Sequence, residues 1–352
     1  MKRELGSLAK HRAWLGLPPK RGSVVPFPCE PKKVFAAQVA GLAKRLKAIR
    51  CRDVVIGLSG GLDSTLALLV ADAAFAKLKY DKAGIHVYTM PGFGTSKRTK
   101  GNADLLCEGL GLKLETISIV KSVRQHLKDI GHDGKTPDVT YENAQARMRT
   151  MILMDKANMT GGIVIGTGDL SEIALGWSTS NGDHMSMFAV NNDVPKTVVR
   201  KVCQWWADSH SSGGDAASPL FGRVWLAVKS IRDVINTPVS PELVKGQVTE
   251  DKIGPYELHD FFLWNFIMNE MGSRDLQKEA ERYFTVPAPV GEDADGTGCT
   301  PELVAKTLKT FMWRFFTQAF KRNCQPDGVK VFPFELSLHD WWIPSDLEFV
   351  KI

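Results

Sequence analysis

The chain has 352 residues, of which 43% are hydrophobic and 24% charged, and its formal net charge is +6. This composition is typical of a globular protein with a large core. The modest, dispersed positive charge is weak evidence for a nucleic-acid partner, because a basic cleft for phosphate-rich small molecules explains it equally well. No apolar run is long enough to span a bilayer, and none follows the N-terminus as a signal peptide would. We therefore predict a cytoplasmic protein without membrane or nucleic-acid partners.

The cysteines are scattered, and no two have the C-x-x-C spacing of a zinc ribbon or an iron–sulfur site. They stand at Cys29, Cys51, Cys107, Cys203, Cys299 and Cys324. In a chain without a signal peptide, this pattern predicts reduced thiols in a cytosol.

The basic, proline-containing residues 1–32 show little periodicity and are predicted to form an arm that lies on another surface or is partly disordered. Helical spacing begins at "KKVFAAQVAGLAKRLKAI". Strand-like runs then alternate with helical runs, and strands are predicted in "DVVIGLS", "AGIHVYTMP", "LKLETISI" and "GIVIGTG". The alternation predicts an α/β fold with a doubly wound parallel sheet. After about Val202 the chain is helix-rich and aromatic, which we interpret as core or subunit interface rather than a base-stacking platform.

Sheets of this kind bind ligands beyond the carboxyl ends of their strands. The first and fourth predicted strands end after Ile56 and Ile165, and a glycine follows each of them. We therefore expect the two glycine-bearing turns to lie on the same edge of the sheet.

The first of these turns lies in "VVIGLSGGLDST". Glycines let the backbone approach phosphate closely, and the first amides of a helix bind anions. Ser59 and Ser64 can add hydroxyl donors. Asp63 would repel phosphate unless a divalent cation lay between them, so the turn is predicted to hold a polyphosphate with Mg²⁺.

The alternative is a tight strand–helix turn in which Asp63 and Ser64 only cap the helix. A Walker A loop is excluded, because no lysine follows the glycines. The complete S-G-G-x-D-S pattern is more specific, and it resembles the pyrophosphate loop of the ATP pyrophosphatases, which cleave ATP to AMP and pyrophosphate.

The second turn lies in "GTGDLSEIALGW". Glu172 is well placed as a second carboxylate for Mg²⁺, and its alternative role is a negative charge at a helix N-terminus. Thr167 is a candidate hydroxyl contact to ATP or, alternatively, a helix cap.

With their surroundings, these stretches resemble the synthetase domain of NAD synthetase, most of all that of the large glutamine-dependent bacterial enzymes. The resemblance runs from about Gln38 to Asp346 through "MPGFGTSKRTKGNA", "ENAQARMRT", "GTGDLSEIALGWSTSNGDHMSM", "VPKTVVR", "TPVSPEL", "GPYELHDFFL" and "FKRNCQPDGVKV". It implies an arm at 1–37, an ATP pyrophosphatase domain at 38–275, and a helical C-terminal part of the same domain at 276–352 that closes the site.

The family makes NAD from deamido-NAD (nicotinic acid adenine dinucleotide), ATP and an ammonia donor, so the resemblance implies a ligase in which Asp63 and Glu172 are catalytic and hold Mg²⁺. The residues implied in binding ATP are Gly57, Leu58, Ser59, Gly60, Gly61, Leu62, Asp63, Ser64, Thr167 and Lys196. Those implied in binding deamido-NAD are Asn143, Glu172, Trp177, Ser178, Thr179, Ser180, Asp183 and Lys321. The indole of Trp177 is a candidate stacking surface for the nicotinate ring, and Lys321 matches a lysine that closes over the substrate. For Lys196 and for Lys321, the alternative is an ordinary surface lysine without a role in binding.

Two departures from the family pattern bear on these expectations. "WSTSNGDH" is one residue shorter than the usual form, which leaves the contacts of Ser180 and Asn181 open. Only the arm precedes the match, whereas the large enzymes carry an N-terminal glutaminase domain there. We therefore expect the chain to use free ammonia, with the arm as a remnant of, or a docking surface for, a possible separate glutaminase subunit. The family also implies a homodimer.

The expected chemistry is adenylation. The nicotinate carboxylate attacks the α-phosphate of ATP, pyrophosphate leaves into the turn, and ammonia displaces AMP. One rival hypothesis is another ATP pyrophosphatase amidotransferase, similar to GMP synthetase. A second is a catalytically silent nucleotide-binding homologue, against which the presence of Asp63, Glu172 and Lys196 argues.

Overall fold

The computed structural model describes residues 27–211, 219–240, 243–244, 248–285 and 299–336. The predicted arm up to residue 26, most of the predicted loop after Ser211 and the chain after residue 336 lie outside the described residues. The chain divides into two compact units, one of which contains Cys29–Thr249 and the segment that begins at Phe320. The smaller unit contains Glu250–Ala319 and the segment that ends at Pro28. These limits do not coincide with the predicted boundaries at 37/38 and 275/276, and that division stays a prediction.

Five short strands form one sheet in the larger unit: β1 (Val54–Gly57), β2 (Ile85–Thr89), β3 (Leu114–Thr116), β4 (Ile163–Gly166) and β5 (Phe188–Ala189). Their order is β3-β2-β1-β4-β5, and every neighbouring pair is parallel. In the central strand β1, Val54 lies opposite Ile85 of β2 and Ile163 of β4. The predicted doubly wound parallel sheet is confirmed, and its strand order reverses between β1 and β4, where such sheets bind ligands.

The helices in the described residues are α1 (Pro31–Ala48), α2 (Leu62–Leu78), α3 (Lys97–Leu110), α4 (Val120–Asp129), α5 (Val139–Thr160), α6 (Leu170–Leu175), α7 (Lys196–Ser211), α8 (Pro219–Ile235), α9 (Thr249–Ile253), α10 (Tyr256–Met268), α11 (Ser273–Phe284), α12 (Pro301–Thr317) and α13 (Ala319–Arg322). Local signals set several of their ends. Asp138 caps α5 by accepting from the amide of Tyr141, and α5 ends at Gly161 with φ +67°. Every helix in the described part of the chain is too short or too polar to cross a membrane.

Two helices cover the two faces of the central strand. Val55 of β1 clusters with Val164 of β4 and with Ala157 of α5 on one face. Because side chains alternate along a strand, Val54 and Ile56 point to the other face, against which α2 packs. The central strand β1 is therefore covered on both faces, and the glycine turn follows its carboxyl end.

The edge strand β5 was not predicted from the sequence. It contains only two residues, too few for a recognisable strand pattern. A distant segment extends the sheet beside it: the amide of Ala189 donates to the carbonyl of Asp327 (2.8 Å), and the amide of Val329 donates to the carbonyl of Ala189 (3.0 Å). The segment after α13 thus belongs to the sheet edge, although Glu250–Ala319 of the smaller unit separates it in sequence from the rest of the larger unit.

The smaller unit is helical, and its core is aromatic. Phe261, Phe262, Phe311 and Phe315 are fully buried. The rings of Phe262 and Phe311 lie 5.8 Å apart, centroid to centroid. The interpretation of the aromatic residues as core is confirmed for these four side chains.

Candidate functional site

The turn after β1 is held together by its own serines. The amide of Ser59 donates to Oγ of Ser64 (3.3 Å), and the two hydroxyl oxygens lie 3.0 Å apart. Ser59 Oγ also accepts from the amide of Gly61 (3.1 Å). Gly61 is the N-cap of α2, and no side chain caps this helix. The alternative that Asp63 and Ser64 only cap the helix is therefore wrong. The first amides of α2 have no acceptor within the helix and face the end of the strand.

Glycine is required in this turn for steric reasons. Gly60 has φ +83°, and a Cβ there would collide with the carbonyl oxygen of Thr99. The side chains of Leu58 and Leu62 are buried, with 1% and 7% exposure. Of the residues predicted to contact ATP, these two leucines can therefore reach a ligand only through their backbone.

The ammonium group of Lys196 lies among three carboxylates. Its Nζ is 2.6 Å from Oδ2 of Asp63, 2.7 Å from Oδ2 of Asp169 and 3.0 Å from Oε1 of Glu172. The Lys196 side chain is only 2% exposed, so its interpretation as an ordinary surface lysine is wrong. Its amide donates to Oγ of Ser171 (2.8 Å), which fixes the start of α7 beside α6.

Asp169, the third carboxylate, was not among the predicted site residues. It is the N-cap of α6, and its Oδ1 accepts from the amide of Glu172 (2.9 Å). Its other oxygen faces Lys196. In the sequence, an aspartate three residues before a glutamate is typical of a simple helix cap. Only the fold shows that the carboxylate of Asp169 both caps α6 and contacts Lys196.

Burial shifts the pKa of Glu172 and that of Asp169. It raises the pKa of Glu172 to about 7, although a fifth of the side chain reaches solvent, and the ammonium of Lys196 offsets only part of this effect. Burial also raises the pKa of Asp169, again against the attraction of Lys196. One ammonium therefore does not balance the three acids, and the site favours additional positive charge.

The three acids fit a divalent cation. Asp63, Asp169 and Glu172 can each offer one carboxylate oxygen, and these oxygens lie within 4.8 Å of one another. Oδ1 of Asp63 is buried and has no hydrogen-bond partner. Carboxylate oxygens are the ligands that Mg²⁺ prefers. Asp169 thus joins Asp63 and Glu172 as a candidate metal ligand.

A buried asparagine ties the two strand-end turns together. Nδ2 of Asn191 donates to the carbonyl of Asp63 (2.9 Å) and to that of Thr167 (3.0 Å). Its Oδ1 accepts from the amide of Gln38 in α1 (2.9 Å). The predicted juxtaposition of the two turns on one edge of the sheet is confirmed, whereas Asn191 and Gln38 were not singled out from the sequence.

On the other side of the glycine turn, an open cleft is lined by Ser59, Gly61, Asp63, Arg98, Arg200 and Ser240, among others. Arg98 forms a two-point ion pair with Asp233, with contacts of 2.6 and 2.8 Å. Nη1 of Arg200 donates to the carbonyl of Ile235 (2.5 Å). These arginines were not singled out from the sequence, and they line the cleft where phosphates are predicted.

A cavity lies beyond the ends of β4 and β5. Its lining includes Thr167, Glu172, Ser178, Asp183, His184 and Lys321. Glu172 also contacts Lys196, so the cavity and the carboxylate cluster share a wall.

The loop after α6 is held by residues that were predicted to bind the dinucleotide. The hydroxyl of Thr179 donates to Oδ1 of Asn143 on α5 (2.7 Å), and the amide of Thr179 donates to Oδ1 of Asp183 (2.7 Å). Nε of Arg147 donates to the carbonyl of Ser180 (3.2 Å). The structure brings these residues together through contacts with one another, and their contact with a ligand stays a prediction.

Two basic residues of α13 hold the same loop from the opposite side. Nζ of Lys321 donates to the carbonyls of Gly176 (2.8 Å) and Ser178 (2.6 Å). Nη1 of Arg322 donates to the carbonyl of Ala174 (3.0 Å), and burial lowers the pKa of Arg322 to about 10. Lys321 therefore lines the cavity as a loop anchor, which is compatible with the predicted closing role.

Trp177 is half-buried, and its amide donates to the carbonyl of Glu172 (2.8 Å). It is absent from the described residues that line the cavity. Its stacking on a nicotinate ring stays a prediction.

His184 and Cys324 meet at the rim of the cavity, although they are far apart in sequence. Nε2 of His184 lies 3.3 Å from Sγ of Cys324, which is exposed. Burial lowers the pKa of His184, which favours the neutral form of its imidazole. This pair could not be predicted from the sequence, because its two members come together only in the fold.

A glycine turn at the switch point of a doubly wound parallel sheet, flanked by a buried lysine and three acids, defines an α/β protein of the pyrophosphate-loop class. The chain belongs to the NAD synthase family, whose family model matches residues 34–286. The resemblance inferred from the sequence motifs is confirmed.

Over 349 residues the chain is 38% identical to the glutamine-dependent NAD(+) synthetase of Mycobacterium leprae, and the match covers 92% of this chain and 50% of that protein. The chain thus spans about half the length of this relative. Among solved structures, it is similar to the NMN synthetase from Francisella tularensis, with a TM-score of 0.55, 24% identity, and coverage of 69% of this chain and 94% of the other. It is also similar to the glutamine-dependent NAD+ synthetase from Acinetobacter baumannii in complex with ADP, with a TM-score of 0.50, 22% identity, and coverage of 85% and 46%.

Proposed function

We propose that this chain is a ligase that converts deamido-NAD to NAD, using ATP, ammonia and Mg²⁺ and releasing AMP and pyrophosphate. Membership of the NAD synthase family supports the reaction. The observation that carries the proposal is the position of Glu172, which contacts Lys196 in the carboxylate cluster and also lines the adjoining cavity. One side of this glutamate then faces the ATP phosphates and the other faces the acceptor.

Each part of the site has a role in adenylation. A carboxylate does not react with ammonia until its oxygen becomes a good leaving group. When that oxygen attacks the α-phosphate of ATP and pyrophosphate departs, the carboxylate becomes an acyl adenylate, from which ammonia can displace AMP. The turn from Ser59 to Ser64 receives the departing pyrophosphate on the free amides of α2 and the serine hydroxyls. The arginines Arg98 and Arg200 add positive charge beside it. Asp63, Asp169 and Glu172 would hold a Mg²⁺, which would offset charge on the phosphates.

The cavity accepts the nicotinate end of the dinucleotide. The loop that contains Ser178 and Thr179 is fixed from one side by Asn143 and from the other by Lys321, so its surface is preorganised. Because the cavity and the carboxylate cluster share Glu172, a nicotinate carboxylate in the cavity would lie close to the α-phosphate of ATP at the cluster.

The direct test is a product balance. Purified protein with ATP, Mg²⁺, deamido-NAD and ammonium should form NAD, AMP and pyrophosphate in equal amounts. ADP and phosphate as products would contradict adenylation. Xanthosine monophosphate in place of deamido-NAD is the control for a GMP-synthetase-like enzyme, and it should release no pyrophosphate. A silent homologue would release none with any acceptor.

We also propose free ammonia as the nitrogen source of this chain. A glutaminase needs an activated thiolate, whereas burial raises the pKa of Cys107 to about 12 and also raises the pKa of Cys29 and Cys203. Cys324 is exposed and lies beside His184, so it is the cysteine to test.

The nitrogen test compares ammonium with ammonia-free glutamine at fixed ATP and deamido-NAD. The expected result is NAD from ammonium only, in the wild type and in Cys324→Ser alike. Glutamate release that Cys324→Ser abolishes would instead identify a glutaminase nucleophile. Addition of a separate glutaminase would test the proposed partner subunit.

We further propose a cytoplasmic homodimer. The side chains of Met151 and Met159 on α5 are 53% and 76% exposed. Eight residues apart, they lie on one side of the helix, where a second copy could cover them. Sedimentation of the full chain, compared with Met151→Glu, tests this proposal: the variant should dissociate, and equal masses would contradict α5 as the interface.

A further inference from the structure

Lys196 occupies the centre of the same three carboxylates that fit a divalent cation. We propose that the ammonium and the metal are alternative occupants of this cluster. Lys196 holds the acids together in the nucleotide-free protein, and it moves to the phosphates when the metal arrives with ATP. The destination of the ammonium rests on the proposed function, whereas the competition concerns only this chain and a metal ion.

The distances exclude simultaneous occupancy. The Nζ atom lies within 3.0 Å of one oxygen from each of Asp63, Asp169 and Glu172. A Mg²⁺ ion bound to these acids would need contacts of about 2.0–2.1 Å to oxygens of the same three carboxylates, which places it next to the ammonium. Two cations would then be close neighbours in a site that is largely shielded from water, where their repulsion is weakly screened. The metal can enter only if the ammonium leaves.

The lysine is built to stay in the absence of ligand. Its side chain is 2% exposed, and Asp169, which it contacts, is fully buried. Without the ammonium, three carboxylates would face one another with no cation among them, which is costly in a buried site. Lys196 is therefore the internal counter-ion of the nucleotide-free cluster.

The lysine is also able to move. Its backbone is fixed by the hydrogen bond from its amide to Ser171, but the ammonium sits on a flexible four-carbon stem with three rotatable donors. Asp63 belongs to the turn that is proposed to hold the phosphates, so a phosphate oxygen there offers a charged partner to replace the carboxylates. Only the side chain has to rearrange.

The test is direct metal binding without nucleotide. Mn²⁺ is titrated into the full chain, and the free ion is followed by electron paramagnetic resonance. Lys196→Met keeps the length of the apolar stem and removes the ammonium, so it should bind Mn²⁺ about tenfold more tightly than the wild type or better. The matched control is Lys201→Met, an exposed position on the same helix, which removes the same charge and should stay within about threefold of the wild type.

Two further variants keep the result decisive. Adding Asp63→Asn to Lys196→Met should abolish the gain, which places the bound ion in this cluster. If Lys196→Met does not fold, the wild type and Asp63→Asn alone decide the matter. The proposal requires equally weak Mn²⁺ binding by both. Tight nucleotide-free binding by the wild type that Asp63→Asn removes would overturn it, as would equal affinities of the wild type and Lys196→Met. Failure of NAD synthesis would affect the proposed function and leave these affinities unchanged.

Discussion

The side-chain amide of Asn191 donates a hydrogen bond to the backbone carbonyl of Asp63 (2.9 Å) and so fixes the first turn of α2 from outside the helix. The same amide nitrogen reaches the carbonyl of Thr167 (3.0 Å), which follows β4. Asn191 is fully buried. One side chain thus sets the separation of the two turns between which the ATP phosphates are proposed to lie.

Replacement of this asparagine should affect both stability and ATP binding. Asn191→Ala removes the hydrogen bonds to two carbonyls and the one from Nε2 of Gln38, so the free energy of unfolding should fall by about 2–3 kcal/mol. The KM for ATP should rise while that for deamido-NAD changes less. Asn158→Ala, at an exposed position of α5, is the control and should change stability by at most about 0.5 kcal/mol. Equal effects on the two substrates would argue against this role of Asn191.

The two predicted acids should be needed for turnover. Asp63→Asn and Glu172→Gln each remove a carboxylate from the cluster at Lys196, and we expect the rate to fall on the order of 100-fold, the scale for loss of one key electrostatic group. Pyrophosphate release at saturating Mg²⁺ measures the effect, and circular dichroism checks the fold. Near-normal turnover in either variant would remove that acid from the metal site.

The positive φ of Gly60 gives a matched pair of glycine variants. Gly60→Ala combines φ +83° with a collision against Thr99, so it should distort the phosphate turn and lower turnover on the order of 100-fold. Gly111→Ala has a similar φ of +69° at the end of α3, but open space around it. It should cost about 1 kcal/mol of stability and leave turnover unchanged. Similar turnover in the two variants would show that the shape of the turn is unimportant.

His259 makes the stability of the smaller unit dependent on pH. It is 2% exposed, and burial lowers its pKa to about 4 from the ordinary value of 6.5. Below pH 6.5 His259 binds a proton in the unfolded chain, whereas in the folded chain it stays neutral down to about pH 4. The contribution of His259 to the free energy of unfolding is therefore fully present above pH 6.5 and is lost as the pH falls toward 4. Between pH 7.5 and 5 this group should account for about 2 kcal/mol of the free energy of unfolding.

Urea unfolding of the wild type and His259→Gln at several pH values measures this contribution. Glutamine does not titrate, and its amide can still donate to the carbonyl of Ile253, the present partner of His259 Nε2. The variant should therefore show a shallower loss of stability on acidification. Parallel curves for the two proteins would place the acid sensitivity elsewhere.

The alternation of strands and helices was enough to predict the parallel sheet, because a strand buried on both faces leaves a long apolar run such as that of β1. The acids Asp63 and Glu172 could be predicted because each follows a strand that ends in glycine. β5 could not, since its two residues owe their strand geometry to neighbours at Gly166 and Gly328.

Long-range polar contacts were also beyond the sequence. Asn191 pairs with Gln38 across 153 positions, and neither residue type is unusual in its local pattern. Asp169 was not predicted as a site residue for a different reason. Its role as the N-cap of α6 is enough to explain an aspartate at this position, and its contact with Lys196 exists only in the fold. Burial likewise decides the state of Lys196, and burial depends on α6 and α7 packing together.

The segment after α13 joins the sheet beside Ala189, although Glu250–Ala319 of the smaller unit precedes it in the chain. A ribosome therefore makes the glycine turn and all three acids long before it makes Lys321, which anchors the loop at the cavity. The turn that is proposed to bind the phosphates can form on the nascent chain, but the cavity that is proposed to bind the acceptor must wait until the residues around Val329 have emerged. A chain interrupted between Glu250 and Ala319 would carry the proposed ATP-binding elements without Lys321 to anchor the loop at the cavity, so the order of synthesis delays the complete site until the segment around Val329 has been made.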